Sequence, residues 1–234
     1  MVSMSALHSL TAELHAGFLT LAFICIMMVA VAQVVVRLKH KSWMPKRFVT
    51  LAIRIRGYAE AAGYVGAALG IIGLLLSAYT GMYAWPQDVL LDSPVVMNKI
   101  MFTAFSTTLW CGVLFIRARF GRGLWACPMM AAVYVGLAFV AYGILGMTGS
   151  LGAHLTVGES VLDPLWNIIG MRVDTPIALE PDMASGIALT CAIVFVLALA
   201  VARRYDLFAV RLEPAACQKL FRWDEPTIQE PGRR

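Results

Sequence analysis

Residues 15–36 read HAGFLTLAFICIMMVAVAQVVV, and RLKHK follows at 37–41. The first string holds no Asp, Glu, Lys or Arg, and a helix of about 20 such residues crosses the roughly 30 Å hydrocarbon core of a bilayer. The second string closes it with cations. An uncharged apolar run that ends on a basic edge recurs along the chain and decides its class.

Further apolar stretches of spanning length lie at Ala59–Met82, Met97–Ile116, Cys127–Met147 and Met183–Ala202. Backbone amides in hydrocarbon must be satisfied within the segment, and strand-type alternation is absent, so helices rather than a barrel are expected. The predicted fold is therefore all-α: a polytopic membrane protein with a five-helix transmembrane bundle over 1–202 and a cytoplasmic tail over 203–234. Composition agrees. Of 234 residues, 60% are hydrophobic and 14% charged, against about 45–50% and 25% in an ordinary soluble domain. So few charges cannot cover a water-soluble surface, and five cysteines do not form a secreted disulfide framework.

The cations orient the bundle. All of the 19 Lys and Arg residues except Lys99 and Arg172 follow the first, third or fifth span. The opposite side holds the N-terminus, Tyr83–Val96 and the long segment Thr148–Asp182, with Glu13, Asp88, Asp92, Glu159, Asp163, Asp174, Glu180 and Asp182. The positive-inside rule then puts the N-terminus outside and the C-terminus in the cytoplasm of a cell inner (plasma) membrane, as an odd number of spans requires. Ala30-Val-Ala32 resembles a signal-cleavage site. No cation precedes the apolar run, however, and Glu13 occupies the place of a positive n-region, so the first span is expected to be retained. The net charge of +5 describes a basic rim facing anionic lipid and implies no nucleic acid.

Within this frame the basic link Leu38–Gly57 is expected to lie at the interface before turning into the second span. The second span carries Gly63, Gly66, Gly70 and Gly73 near one stripe, which permits close backbone approach by a neighbouring helix; Ala132, Gly136 and Gly143 are expected to repeat the device in the fourth. Ser93-Pro94 and Asp163-Pro164 read as helix starts, the latter opening a short surface helix over Leu165–Met171. No cysteine is placed on the outer side, so no disulfide is expected.

Chemistry is confined to the predicted outer face. His15 opens the first span and His154 follows the fourth, within Gly146-Met-Thr-Gly149-Ser-Leu-Gly152-Ala-His154; His8 lies seven residues before His15, on one face if the helix reaches back that far. Imidazole pairs ligate haem iron or, with methionine or carboxylate help, copper or zinc. His15 and His154 are the predicted cofactor or metal ligands, with His8 as a further candidate and Met147 as a possible metal partner. Glu13 and Glu159 could orient a ring N–H, and the glycines before His154 would let a flat macrocycle approach the backbone. Lys99 is the odd cation: it could pair with a haem propionate or a quinone-site carboxylate, or snorkel to a lipid phosphate. His40 belongs to the basic rim. No span has a histidine away from its end or a charge at its centre, which disfavours a two-haem transmembrane wire and an ion pump. Nucleotide-loop, G-x-S-x-G, H-E-x-x-H and C-x-x-C-H motifs are absent.

His8 and His15 ahead of an apolar first span, Ala78-Tyr-Thr-Gly81 leaving the second, and Gly149-Ser-Leu-Gly152-Ala-His154-Leu after the fourth are similar to a broad family of uncharacterised prokaryotic membrane proteins. That family has a four-helix, predicted haem-binding domain, and the resemblance covers roughly residues 7–158. Its members tend to carry a histidine near the start of the third span, where this chain has Asn98-Lys99. The resemblance implies a membrane redox role. The expected function is an electron-transfer or accessory subunit rather than an enzyme by itself. It would hold one haem b, or copper, near the outer face and exchange electrons with a membrane or periplasmic redox protein or with quinone. The alternatives are a non-catalytic anchoring subunit of a larger respiratory or oxidase-like complex and, third, a small-solute transporter, which would need broken helices or midplane charges.

Overall fold

The computed structural model describes residues 3–40, 44–86, 92–125 and 127–175. All regular structure in them is helical. α1 spans Met4–Arg37, α2 Lys46–Ala84, α3 Pro94–Phe120, α4 Pro128–Val157, and a six-residue α5 Asp163–Ile168. Short 3-10 turns, Leu38–His40 and Gly121–Trp125, follow α1 and α3. The four long helices are each long and apolar enough to cross a membrane. The expected fifth span, Met183–Ala202, and the tail lie outside the described residues. The chain divides into two compact units. Residues 1–115 with 134–178 hold the helix packing and the sites considered below, and 116–133 with 179–234 hold the α3–α4 connection.

α1 starts where Ser3 can cap it, the hydroxyl accepting from the Ala6 N–H at 3.2 Å. The helix reaches back far enough to put His8 and His15 on one face. α2 has 39 residues, about 58 Å at 1.5 Å per residue, nearly twice the hydrocarbon thickness. Its first turns are the basic segment 46–57. That segment is continuous with the span, so the expected turn between an interfacial piece and the second span is absent. α4 likewise outruns its expected end at Met147 and carries His154 in its last turn. Each interior glycine costs a helix only about 1 kcal/mol, which an apolar run in lipid tolerates because the alternative is unsatisfied backbone.

The glycine stripe of α2 packs on α1. A Cβ on Gly63 would stand 2.9 Å from the Cys25 Cβ, one on Gly66 would stand 3.1 Å from the Phe18 carbonyl oxygen, and one on Gly73 would stand 3.0 Å from the His15 Cβ. Leu19 and Ala22, opposite them, are fully buried. Among the described residues the expected repeat in the fourth span is not seen: nothing there lies within 4 Å of a Cβ built on Gly136 or Gly143. α4 buries instead Tyr134, Ala138, Ala141, Leu145 and Thr148, a face that lies two residues, or about 200° of helix turn, from those glycines.

α3 begins at Pro94 as expected, with the Met97 N–H donating to the Ser93 carbonyl at 3.0 Å. α5 is shorter than its expected range, and its cap position is Leu162 rather than Asp163. The Asp163 carboxylate reaches back to the Ser160 N–H at 3.1 Å. Trp166 of α5 is buried with Phe102 and Leu151, and its indole N–H donates to the Ser150 hydroxyl at 2.8 Å. Among the cysteines, Cys25 and Cys111 are free, but Cys127 is disulfide-bonded, against the expectation of thiols throughout. The expectation rested on the side of the membrane assigned to Cys127, and the bond does not follow that assignment.

Candidate cofactor site

The two N-terminal histidines owe their seats to glycines of α2. His15 backs onto Gly73, and the His8 ring occupies the space beside Gly81, where a Cβ would stand 3.0 Å from Cε1. Both rings are half-buried. The His8 Nδ1 lies 3.0 Å from the Ser77 carbonyl oxygen and the His15 Nδ1 lies 2.9 Å from that of Thr11. A carbonyl only accepts, so each Nδ1 carries the proton and donates. Each Nε2 then presents a lone pair, and neither has a protein partner among the described residues. Thr80 and Thr11 complete the polar seam between α1 and α2, their hydroxyls 3.1 Å apart, with the Thr80 hydroxyl 3.4 Å from the His8 Nδ1.

Lys99, on α3, lies against α4: its ammonium stands 3.4 Å from the point where a Cβ on Gly152 would be. The side chain is half-buried there. Asn98, the neighbouring residue, is buried and donates to the Val173 and Thr175 carbonyls at 3.3 and 2.9 Å, which holds the segment after α5 against α3.

His154 has a different environment. It is two residues from Gly152, so it leaves α4 about 200° around from the Lys99 contact. Its Nε2 lies 2.7 Å from Asp163 Oδ1 and its Nδ1 3.2 Å from the Gly158 carbonyl oxygen. Both nitrogens therefore have a protein partner. Asp163 is held below the usual carboxylate range, chiefly by the Ser160 N–H and further by His154. His154 therefore fastens the start of α5 to the end of α4. Met147, on the same face of α4, packs against the cluster of Phe102, Leu151 and Trp166. Glu13 and Glu159 are exposed and orient no imidazole in the described hydrogen bonds. Asp163, read from sequence as a helix cap, is the carboxylate that does so.

The glycine face of α4 borders a groove of about 740 Å³ lined by Gly146, Gly149, Ala153, Val157 and Leu162 among others. A Cβ on Gly149 would meet nothing within 4 Å among the described residues. His8, His15 and Lys99 do not line this groove. His8 and His15 thus bond within the α1–α2 pair, and His154 bonds Asp163 at the α4–α5 corner. The seating of His8 on Gly81 was hidden in the sequence, although the antiparallel offsets, seven residues from His8 to His15 and eight from Gly73 to Gly81, carry its signal.

Among the described residues no three His, Cys, Asp or Glu side chains converge to hold a metal ion. A copper ion draws most of its ligands from the protein, whereas a haem iron needs only one or two because the macrocycle supplies four. The residues present fit a haem better than a bare ion. No family model, no curated protein and no solved structure matches the chain.

Proposed function

We propose that the protein is an integral membrane redox subunit that binds one haem b at the end of the bundle where α1 and α2 hold His8 and His15. His15 is the axial ligand in this reading. The observation that carries it is the pair of imidazoles whose Nδ1–H groups are fixed on the Ser77 and Thr11 carbonyls, leaving each Nε2 without a protein hydrogen-bond partner among the described residues. This is the tautomer a ligating histidine needs, set by its other nitrogen. Seven helical residues rise about 10 Å, so His8 and His15 are too far apart to bind one iron from the same side. His8 is then a flanking donor. When bound, the haem supplies one-electron transfer; the chain's part is to seat the ring, exclude water with the apolar walls of the spans, and accept or deliver electrons to a redox partner or quinone.

The reading differs from a His15–His154 pair by assigning His154 to the α4–α5 clasp. Oxidised and dithionite-reduced optical spectra of the protein purified from membranes test it. A Soret band that is lost in His15→Ala and kept in His154→Ala is expected. A missing Soret band in the wild type, or loss in His154→Ala alone, overturns the assignment.

A second reading, an anchoring subunit of a larger membrane complex, draws on one observation. The most apolar windows of α3 and α4 are only 22% buried among the described residues, against 44% in α1 and 39% in α2. Wild-type protein that lacks a Soret band but co-purifies with a stoichiometric membrane partner would favour it.

A further inference from the structure

α1 and α2 keep one antiparallel register along their contact. His15 faces Gly73, Cys25 faces Gly63, Gln33 accepts from the Arg56 guanidinium at 2.7 Å, and Val36 is buried with Ala52. Each step along α1 is matched by one step back along α2. Arg37, which ends the uncharged run 15–36, therefore falls level with Leu51, and Val34 falls level with Arg54. Lys46 and Arg47 stand about 6–8 Å beyond that edge at 1.5 Å per residue, the depth of the headgroup layer when the run 15–36 occupies the hydrocarbon, and Arg54 stands about 4–5 Å inside it. At about 100° per residue the three cations share one sector of α2 roughly 100° wide, centred opposite Ala52, the residue that packs on α1. All three are exposed, and so are Phe48, Leu51 and Ile53 on the flanks of the sector, at 50%, 52% and 49%. The Arg47 guanidinium lies 5.5 Å from the centre of the Phe48 ring. The sequence from Leu38 to Ala59 holds no Asp or Glu.

We infer that the Lys46–Arg47–Arg54 face of α2 is a binding site for an anionic phospholipid, whose phosphate is held by Arg47 and Arg54 and whose acyl chains lie on the apolar flanks. The complementarity is one of charge and depth together. A stripe of cations bordered by exposed apolar side chains suits a partner that is anionic at one level and hydrocarbon just beneath it, and an anionic leaflet has that layering, whereas a soluble acidic partner leaves the flanks unmatched. Arg47 and Arg54 are two helical turns apart and only about 20° apart around the axis. Arg54, level with the uncharged run, lays its stem on apolar surface and turns its head toward the headgroups, so the two guanidinium groups converge. Each can donate two parallel N–H bonds to a phosphate, which a lysine cannot do. The inference is independent of the cofactor reading.

Full-length protein is reconstituted in phosphatidylcholine bilayers carrying a trace of photoactivatable phosphatidylglycerol or, in a parallel arm, photoactivatable phosphatidylcholine, and the adducts are mapped by peptide mass spectrometry. Peptides from 46–58 are expected to react preferentially with the anionic probe. One cation near an anionic lipid changes affinity about fivefold. The preference at 46–58 should therefore fall about fivefold in Arg54→Gln and further in Arg47→Gln/Arg54→Gln, and it should weaken at high salt because the contact is exposed. Arg172→Gln, which removes an exposed cation paired with Asp174, should leave it unchanged. Equal yields of the two probes at 46–58 in the wild type overturn the inference, as does an anionic preference that survives the double substitution. Absence of adducts at 46–58 with either probe overturns it as well, since the face is then covered by protein rather than lipid.

Discussion

α2 and α4 carry the same small-residue device and use it in opposite ways. Gly63, Gly66, Gly70 and Gly73 of α2 lie against α1 so closely that a methyl group would collide or crowd at each. Gly136, Gly143 and Gly149 of α4 touch nothing within 4 Å among the described residues. The intervals are 3, 4 and 3 residues in α2 and 7 and 6 in α4, and the faces differ too. In α2 the glycines continue into the buried positions Ala67, Leu74, Ser77 and Thr80, whereas α4 buries Ala138, Ala141 and Leu145, on the side away from Gly136 and Gly143. Small residues permit close approach, and a partner of matching relief is what uses the permission.

The comparison breaks most directly by filling both kinds of glycine. A Cβ on Gly70 would stand 2.6 Å from the Leu19 Cγ, and Leu19 is fully buried with no space to retreat. Gly70→Leu should cost at least the 1–3 kcal/mol typical of overpacking, and its yield of monodisperse protein should collapse. Gly143→Leu should leave the thermal unfolding of the purified protein near that of wild type. Equal losses in the two variants would show that the open face of α4 is covered after all, and the contrast would fail.

That contrast also measures what could be read from residues alone. The apolar run 15–36 and its basic edge are legible because bilayer thickness and backbone satisfaction act on composition, with no need to know the neighbours. Helix starts at Ser93-Pro94 are legible because capping is local. The seating of His8 on Gly81 and of His15 on Gly73 depends on register between helices, which no local pattern states. His154 illustrates the limit: the apolar span is expected to end at Met147, yet the helix runs on to Val157, and two residues of rotation carry the ring from the Lys99 side to Asp163. Asp163 has two roles in the same way, as a residue of the first turn of α5 and as the partner of His154, and only the first is written in the adjoining proline.

A smaller effect is expected at the α4–α5 corner. The Trp166 indole N–H is buried and bonded to Ser150 Oγ. Ser150→Ala leaves that donor without its acceptor, a loss of about 1–3 kcal/mol for a buried polar group. Because α5 has only six residues, the loss should appear as local opening. Faster hydrogen exchange over 162–171 with little change in α1 and α2 is the expected pattern. A uniform increase through all four long helices would show that the corner is integral to the bundle's cooperativity.

The weakest lever is proton binding at the clasp. Asp163 sits below the ordinary carboxylate range because the Ser160 N–H, and then His154, favour its charged form. A carboxyl whose folded value is depressed stabilises the folded state at pH above its unfolded value, and that contribution disappears as pH falls through the folded one. The clasp should therefore hold from neutral pH into mild acid and release only below the usual carboxylate range. Its effect is small because Asp163 is partly exposed and solvent screens the pair. Hydrogen exchange of the 158–168 segment against pH, corrected for intrinsic rates, reads this directly, and Asp163→Asn should flatten the profile by opening the segment throughout. Release centred in or above the ordinary carboxylate range would contradict the assignment of Ser160 and His154 as its partners. The contact of Gly66 and Gly70 with α1 contains no titratable group, so exchange in that part of α2 should stay level over the same range. Parallel acceleration there would mean that acid opens the whole bundle and that the corner has no separate response.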